Sequence, residues 1–323
     1  MPNLAPELET ELKHLISKHR LQSVTEQIYA NADECYALVA QGEDDYSSVG
    51  NTRLGGDPDL PPSCAWPTDP DDVENGYSNF IAQINFAEMP RLSAGNPLPT
   101  RGILYLFVRS IVSAAEPVVL DSIFFQGETS ALARRPSPSE ESLCDEYLVH
   151  LVPQRVSAVP SISLPIHLKQ FRGELEEALG NGSQLYEVQS DLARDGQIAQ
   201  LLGYATPFNE QTKLYRQMAL AQLNKRDLIY NDYWDTIEEY EACIKQWGDN
   251  QQLGKMYTGM RDGVVWLTSN RKMIDDAVAQ WRLLFRVDSN SLMNLNINDA
   301  DPLYVFIRDE DLAIGISTIS QGK

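Results

Sequence analysis

The chain has 323 residues, of which 43% are hydrophobic and 22% are charged, so it can bury a large core and is neither a disordered protein nor a coiled coil. Its 26 basic and 46 acidic residues give a net charge of −20. This sign argues against a nucleic-acid partner, because affinity for DNA and RNA depends on clustered Lys and Arg. The length is compatible with two domains or with one two-lobed body.

The four cysteines are dispersed and form no Cys-x-x-Cys pair, so their spacing predicts neither a zinc site nor a disulfide framework. The N-terminus lacks a basic region followed by an apolar core, and no segment has the roughly 18 uninterrupted apolar residues that a membrane span needs. We therefore expect a cytoplasmic protein with reduced cysteines and no membrane partner.

The first 41 residues predict two helices, and we expect residues 1–45 to pack on the body of the protein. In the first helix, apolar residues recur at three- and four-residue steps: Leu8, Leu12, Leu15 and Ile16. The second helix begins at Ser23, which forms a capping-box pattern with Glu26. Its expected buried side consists of Ile28, Cys35, Leu38 and Val39.

Residues 41–78 contain five prolines and several glycines, which exclude long helices and strands. This segment is either a long ordered loop or a mobile flap. Most of the acid excess lies here, with nine acids and one base in residues 43–74. β-Branched and aromatic residues then predict strands at 79–86, 102–111, 117–126 and 146–157, within a first β-rich lobe at 46–165.

The second half of the chain, residues 166–323, is predicted to form a second lobe. Its periodicity is first helical, with a helical insertion at about 209–280, and strands return at 281–288 and 302–308. The fold class that these elements indicate is α+β, with largely antiparallel sheets and segregated helices.

Two stretches about 200 residues apart repeat the same pattern: Leu104-Tyr105-Leu106-Phe107-Val108-Arg109 and Leu303-Tyr304-Val305-Phe306-Ile307-Arg308. Upstream of each lies a second apolar run, and further upstream lie Leu54-Gly55-Gly56 and Leu201-Leu202-Gly203. We interpret the chain as a diverged internal duplication of one sheet-forming unit.

The chain resembles the YwqG-like family, also called DUF1963, a bacterial domain of unknown function. The resemblance rests on the run from Arg53 to Pro61, on Phe80-Ile81-Ala82-Gln83-Ile84-Asn85, on Trp281 to Ser289 and on Leu303 to Leu312. It implies a two-lobed α+β fold and brings no established reaction or cofactor. Some relatives are associated with bacterial toxin and immunity gene clusters. A Gly-Asp-Ala-Gly-like family turn is replaced here by Asn298-Asp299-Ala300-Asp301-Pro302.

One candidate binding loop is Arg53-Leu54-Gly55-Gly56-Asp57. Paired glycines let backbone N–H groups approach an anion, and Arg53 could pair with that anion. The alternative is a tight turn in which Arg53 and Asp57 brace the loop while Trp66 plugs it into the core. The run is not a phosphate loop, because the pattern G-x-x-x-x-G-K-[ST] is absent.

A second candidate follows from strand alternation, because side chains two apart share a face. Phe80, Ala82, Ile84 and Phe86 are predicted on one face, and Ile81, Gln83 and Asn85 on the other. If a two-fold axis relates the halves, Gln83, Asn85, Arg286 and Asp288 converge on one cleft, with Tyr105 and Tyr304 as aromatic walls. The alternative is that these residues are the solvated sides of half-buried strands.

Catalytic and cofactor motifs are missing from the sequence. There is no G-x-S-x-G nucleophile elbow and no dinucleotide fingerprint, and none of the four histidines is placed as an obvious general base. The aspartate clusters lack the spacing of a calcium loop. We therefore expect no cofactor and no metal.

Two functions remain as hypotheses. The first is a non-enzymatic cytoplasmic binding protein whose cleft or acidic segment at 43–74 engages a basic protein, for example as an immunity protein against a basic toxin. The alternative is a small-molecule-binding protein or enzyme that uses a cleft between the lobes, with Arg53, Gln83, Asn85, Arg286 and Asp288 as polar contacts.

Overall fold

The structure is a computed structural model, and it describes residues 4–93, 97–110, 119–139, 143, 148, 150–166, 171, 183–205, 211–228, 237–297 and 300–314. Asn298 and Asp299 of the altered family turn therefore lie outside the described residues. The described helices are α1 Pro6–Lys18, α2 Thr25–Asn31, α3 Ser183–Leu192, α4 Gln211–Gln222, α5 Ile237–Trp247, α6 Gln251–Ser269, α7 Arg271–Val278 and α8 Asp309–Ile314.

The strands confirm an α+β fold with mostly antiparallel pairing. They are β1 Asp33–Glu43, β2 Arg53–Leu54, β3 Asp59–Leu60, β4 Thr68–Asp69, β5 Asp72–Tyr77, β6 Asn79–Asn85, β7 Ile103–Ser110, β8 Val119–Phe125, β9 Ala133–Arg134, β10 Gln154–Ser163, β11 Gln197–Leu201, β12 Trp281–Val287 and β13 Leu303–Arg308. Nine strands form one sheet in the order β13-β12-β11-β1-β10-β2-β6-β7-β8, while β3 pairs with β9 and β4 with β5. The strands of both predicted lobes thus lie in a single sheet.

The chain divides into two compact units. The first comprises residues 1–211 and 282–323 and contains the sheet. The second comprises Thr212–Trp281, close to the predicted insertion at 209–280, and is helical. A small apolar cluster lies inside the second unit: Leu220, Leu228, Leu267 and Ile274.

The second predicted helix is wrong beyond residue 31. Helix α2 ends at Asn31, and Cys35, Leu38 and Val39 belong to β1, a central strand of the sheet. The run of five apolar residues from Cys35 to Val39 is typical of a buried strand, but a run this short also fits a buried helix. The capping box is absent as well, because α2 begins at Thr25 and has no side-chain cap hydrogen bond.

Helix α1 is confirmed, with Leu8, Leu12, Leu15 and Ile16 on its buried side. The strands at 79–86, 102–111, 117–126, 281–288 and 302–308 are also confirmed within a few residues. The predicted strand at 146–157 is shifted, because β10 runs from Gln154 to Ser163. Its pairing partner β1 fixes this register, and the prediction had placed β1 in a helix.

Apolar side chains cover both faces of the sheet. On one face, residues from eight of the strands join a large cluster that includes Leu38, Leu54, Leu104, Phe285 and Val305. On the other face, Trp66, Tyr105 and Phe107 belong to a smaller cluster that packs the loop segments against β7. The sheet is therefore buried on both sides near β6 and β7.

A β-bulge in β6 changes the predicted alternation. The register shifts between Phe80 and Ala82, so Ile81 is an extra residue. Phe80 consequently packs with Phe107 and Trp66, on the opposite face from Ala82 and Ile84. The prediction that Phe80 shares a face with Ala82 and Ile84 is wrong for this reason.

The two ends of the sheet are built in the same order. Outward from the central pair β1 and β10 come β2, β6 and β7 on one side and β11, β12 and β13 on the other. The strand ends also match: Gly55 N donates to Ile81 O at 2.8 Å, and Leu202 N donates to Leu284 O at 3.0 Å. These likenesses are what a duplicated unit would produce, and the duplication itself stays a prediction.

Candidate functional site

The side chain of Arg53 lies at the centre of a buried polar network on the sheet. Strand β2 is only two residues long, but it lies between β10 and β6 inside the sheet. The Arg53 side chain on this strand is 0% exposed. One terminal nitrogen lies 3.3 Å from Asp44 Oδ2, and the other lies 3.0 Å from Asp59 Oδ2 and donates to Asp57 O at 2.8 Å. We call Arg53 and its polar partners the Arg53 network.

Asp59 is the most heavily bonded carboxylate of this network. Its Oδ2 accepts from Gly50 N and Gln83 Nε2, both at 2.9 Å, and its Oδ1 accepts from Arg134 Nε at 2.6 Å. Burial alone raises the pKa of Asp59, but these hydrogen bonds and the charge of Arg53 outweigh burial and lower the pKa below its ordinary value. Asp59 is therefore ionised in the folded protein at neutral pH.

Tyr46 closes the network on its outer side. The Arg134 guanidinium lies 3.8 Å from the centroid of the Tyr46 ring, and the Arg53 guanidinium lies 4.8 Å from it. The hydroxyl of Tyr46 accepts from Asp57 N at 3.0 Å. Residues between Asp44 and Asp59, within the segment at 41–78, thus fold around Arg53.

The paired glycines serve this loop by their conformation. Gly55 and Gly56 have φ angles of +69° and +67°, in the left-handed region that other residues rarely adopt. A Cβ on Gly56 would lie 2.3 Å from Tyr46 Oη and 2.6 Å from Pro153 Cβ. The backbone N–H groups of both glycines donate to main-chain oxygens, of Ile81 and Leu151, so these N–H groups are occupied within the fold.

Gln83 and Asn85 are occupied in the same way. Gln83 is 0% exposed; its Oε1 accepts from Asp59 N, and its Nε2 donates to Asn51 O at 2.7 Å. Asn85 donates to Gly50 O at 2.8 Å and accepts from Ala87 N at 3.0 Å. Trp66 anchors the loop, with Nε1 donating to Ser78 O at 2.8 Å. These contacts are those of a braced turn.

The sheet does not bring the four predicted cleft residues together. Gln83 on β6 and Arg286 on β12 are five inter-strand steps apart, which is about 24 Å at the usual strand spacing. Tyr105 belongs to the Arg53 network, where its hydroxyl donates to Asp59 O at 2.5 Å, whereas Tyr304 stacks on Phe306 in β13. Arg286 and Asp288 are adjacent, with Arg286 Nη2 3.0 Å from Asp288 Oδ2.

Arg286 and Asp288 line a cavity of about 150 Å³, which we call the Arg286 pocket. Its floor comes from four neighbouring strands: Cys35 on β1 pairs with Ser161 on β10, and Gln200 on β11 pairs with Arg286 on β12. Its wall comes from the end of α3 and the residues that follow, namely Gln189, Leu192, Ala193 and Arg194. Ser161 Oγ donates to Leu192 O at 3.1 Å and so ties α3 to the sheet.

The Arg286 pocket is polar and contains two guanidinium groups. Arg194 forms a bidentate pair with Glu11, at 2.6 and 2.8 Å, and also donates to Pro160 O at 3.0 Å. Two buried atoms of the lining, Arg194 Nε and Gln189 Oε1, have no hydrogen-bond partner among the described residues. Such atoms are rare in folded proteins and carry a desolvation cost that a bound polar group would relieve.

Cys35 at the floor of the pocket is an unreactive thiol. Burial raises the pKa of Cys35 to about 12, and the charge of Asp33 adds to this effect against the opposing charges of Arg286 and Arg194. A thiolate is the nucleophilic form of cysteine, and it is not populated at neutral pH with such a pKa. Partial burial likewise raises the pKa of Asp288, against the opposing charge of Arg286.

Sequence reasoning identified two of the pocket residues and missed the others. Cys35 was assigned to a helix, and Ser161 lies beyond the end of the predicted strand. Arg194 follows α3 and carries no local signal in the sequence. If the apolar run at Cys35 is read as a strand, Cys35 falls on the sheet. That reading still does not predict that the end of α3 covers this part of the sheet.

Other kinds of site are not evident in the part of the chain that the structure describes. No group of three or more His, Cys, Asp or Glu side chains is arranged to hold a metal ion there. None of the helices in those ranges combines the length and the apolar character that crossing a membrane requires. Cys35, Cys64 and Cys243 are free thiols.

Fold and site together define an α+β protein with a braced loop on one half of its sheet and a small polar pocket on the other. Residues 52–315 match the family described as a domain of unknown function, DUF1963, and the chain belongs to that family. The narrower YwqG-like name stays a prediction. A search of curated proteins found no match to the chain.

Proposed function

We propose that this protein is a binding protein that holds a small polar ligand in the Arg286 pocket. The observation that carries this proposal is a cavity of about 150 Å³ whose lining is mostly polar. Ligand sites are concave and have a few convergent polar groups, and here Arg286, Gln200 and Ser161 converge from three strands. This function is the small-molecule hypothesis of the sequence analysis, with the binding site on the surface of the sheet instead of between two lobes.

Binding without catalysis fits the side chains of the pocket. The thiol of Cys35, with its pKa of about 12, is a poor nucleophile at neutral pH. Arg194 is held by Glu11 and Arg286 by Asp288, so both guanidinium groups are suited to orient a ligand rather than to transfer protons. A cytoplasmic location is part of the proposal and is supported by the free thiols of Cys35, Cys64 and Cys243.

A thermal-shift screen with a blocked pocket tests the proposal. Ala193 is exposed at the edge of the pocket, so Ala193→Trp fills the pocket without removing a core side chain. A ligand of the folded state must raise the melting temperature, by a few degrees at about 100 times its dissociation constant. We expect a set of small polar metabolites to contain compounds that stabilise the native sequence and leave Ala193→Trp unchanged.

The matched control is Ala131→Trp, at an exposed alanine outside the pocket lining, in a short 3₁₀ helix that packs near Gly50 in the Arg53 half of the sheet. This variant should respond to the compounds as the native sequence does. Equal shifts in the Ala193→Trp variant would place the ligand elsewhere, and a screen that stabilises no form of the protein would contradict a small-ligand function.

A second candidate function is the binding of a basic macromolecule, in the form of a partner protein or a toxin that this chain neutralises. It is supported by the net charge of −20 and by exposed acids on the segment at 43–74, namely Glu43, Asp45 and Asp71. Two other acids of this segment, Asp44 and Asp59, are buried against Arg53 and are not available to a partner.

A pull-down tests the second candidate. We expect the triple variant Glu43→Gln, Asp45→Asn, Asp71→Asn to lose a partner that the native chain captures at low salt and releases at high salt. The control variant neutralises three exposed acids of α5, namely Glu238, Glu239 and Glu241. If both variants keep the partner, or if both lose it equally, the segment at 43–74 is not its docking surface.

A further inference from the structure

We infer that the ligand of the Arg286 pocket is a small free carboxylate, held by Arg286 and Gln200 as the protein's own Asp59 is held by Arg53 and Gln83. This inference rests on the proposed function and names the chemical class of its ligand.

In each half of the sheet, an arginine and a glutamine lie directly opposite each other on neighbouring strands. Arg53 on β2 pairs with Gln83 on β6, and Gln200 on β11 pairs with Arg286 on β12. In both halves the inner strand of the pair is followed by two residues with positive φ, at +69° and +67° for Gly55 and Gly56 and at +61° and +78° for Leu202 and Gly203. The two pairs therefore occupy corresponding places, with arginine and glutamine exchanged between the strands.

The register places both pairs on the same face of the sheet. Arg53 pairs with Arg155 on β10, and four residues further along the same strand Val159 pairs with Ala37 on β1. Ala37 in turn pairs with Gln200. Directly opposed residues share a face, as do residues an even number of positions apart, so Arg53 and Gln200 project to the same side.

The first pair shows what this arrangement binds. Arg53 Nη2 and Gln83 Nε2 lie 3.0 and 2.9 Å from the same atom, Asp59 Oδ2, and the carboxylate is 0% exposed. Asp59 is the first residue of β3, the short strand that follows β2, so the chain supplies its own carboxylate in this half. An arginine and an amide donor that converge on one oxygen bind a carboxylate through charge-assisted hydrogen bonds.

The second pair faces a cavity instead of a loop. Gln200 and Arg286 both line the Arg286 pocket of about 150 Å³. A cavity of this volume accommodates a ligand of about six non-hydrogen atoms, the size of benzene, which allows a carboxylate with up to about three carbon atoms beyond it. Arg286 is 12% exposed and Asp288 36% exposed in their side chains, so the guanidinium lies deeper than its carboxylate partner.

The charges that face the pocket make binding dependent on pH. Arg286 is paired with Asp288 and Arg194 with Glu11, while Asp33 and Glu34 act on the pocket from β1, and Arg282 on β12 offsets Asp33. A bound carboxylate would repel Asp288, whose pKa is already raised by partial burial. Binding should therefore be accompanied by proton uptake on Asp288, and affinity should increase as the pH falls toward the pKa of that group.

The probes for the test are acetate and propionate, with the uncharged amides acetamide and propionamide as matched controls. Binding to the whole 323-residue chain can be measured from the line broadening of ¹³C-labelled probe. We expect the carboxylates to bind and the amides not to bind, with the carboxylate affinity higher at about pH 6, where the probes are still ionised, than at about pH 7.5. Ala193→Trp should abolish the binding.

Two substitutions distinguish a carboxylate site from a general loss of structure. Asp288→Asn removes the competing charge, so we expect about tenfold tighter carboxylate binding, with an affinity that no longer changes between about pH 6 and pH 7.5. Arg286→Gln should lose binding, whereas Arg155→Gln, which removes the same charge at an exposed position of β10 outside the pocket lining, should retain it. A gain of affinity cannot result from unfolding.

The results separate this inference from the proposed function. If the amides bind as well as the carboxylates and Ala193→Trp blocks both, the pocket binds ligands but the carboxylate assignment is overturned. If Asp288→Asn weakens carboxylate binding, the assignment of Asp288 as the charge that competes with the ligand is overturned. If neither carboxylates nor amides bind while the metabolite screen finds another ligand that Ala193→Trp blocks, only the inference fails.

Discussion

At the scale of single residues, the role of Arg53 depends on which groups its side chain contacts. The Arg53 side chain is 0% exposed and contacts two carboxylates, of Asp44 and Asp59, that are themselves buried. The sequence predicts that Arg53, next to two glycines, holds an anion or braces a loop. In the structure the anions beside Arg53 are the carboxylates of Asp44 and Asp59. The contacts of Arg53 are therefore those of a residue that braces the loop.

Replacing Arg53 should therefore destabilise the fold strongly. Arg53→Met leaves Asp44 and Asp59 as buried carboxylates without that counter-charge, and breaking a buried ion pair in this way costs about 3–5 kcal/mol. The measurement is the free energy of unfolding from urea titration near neutral pH. Arg155→Met is the matched control, because Arg155 pairs directly with Arg53 in the sheet but is exposed, and its replacement should cost about 0.5 kcal/mol or less. Equal stabilities of the two variants would contradict a structural role for Arg53.

At the scale of elements, two apolar segments are both predicted to be helices, and only one of these predictions is right. Helix α1 shows apolar residues over several turns, which is a long periodic signal, and it was predicted correctly. The run at Cys35 to Val39 is short, and it was assigned to a helix although it forms β1. Pairing with β10 and β11 on both sides decides its conformation, and this pairing is not visible locally.

Two of the three glycines in helix α6 have different surroundings, and they should respond oppositely to alanine. A Cβ on Gly259 meets nothing within 4 Å, so Gly259→Ala should stabilise the helix by up to about 1 kcal/mol. A Cβ on Gly254 would lie 2.9 Å from the backbone oxygen of Gly248, and Gly254→Ala should destabilise it by about 1–3 kcal/mol.

The measurement for this glycine pair is urea unfolding followed by far-ultraviolet circular dichroism, because the two residues lie in the helical unit of residues 212–281. Each variant is the control for the other, since both add one methyl group to the same helix. A loss of stability in Gly259→Ala, or none in Gly254→Ala, would show that the packing near Gly248 is not as described.

At the scale of the whole molecule, one nine-stranded sheet joins strands from both ends of the chain. Strands β12 and β13 come from residues after 280, yet they extend the same sheet as β1. The helical unit of residues 212–281 separates them in sequence from β11. This connection explains why the residues of the Arg286 pocket are drawn from positions as distant as Cys35 and Asp288.

The charge of the whole chain predicts a salt effect on stability. At a net charge of −20 the folded state is destabilised by self-repulsion, which sodium chloride screens as the Debye length falls from about 20 to about 7 Å between roughly 0.02 and 0.2 M. We expect the urea midpoint to increase over this range. The triple variant Glu43→Gln, Asp45→Asn, Asp71→Asn should show a smaller increase, and a midpoint that falls with salt would contradict the argument.

The sequence by itself determined the α+β class, the amphipathic helix α1, most of the outer strands and the family, because each of these depends on residue patterns within a short window. It also identified Arg53 as a residue of a loop that holds an anion or is braced, and Gln83, Arg286 and Asp288 as polar positions on otherwise apolar strands. Tertiary structure alone decided that Asp59 fills the place beside Arg53 and Gln83, and that a cavity lies beside Gln200 and Arg286. The physical reason is that strand order, and the loop or helix that covers each pair, are set by contacts between residues far apart in the chain.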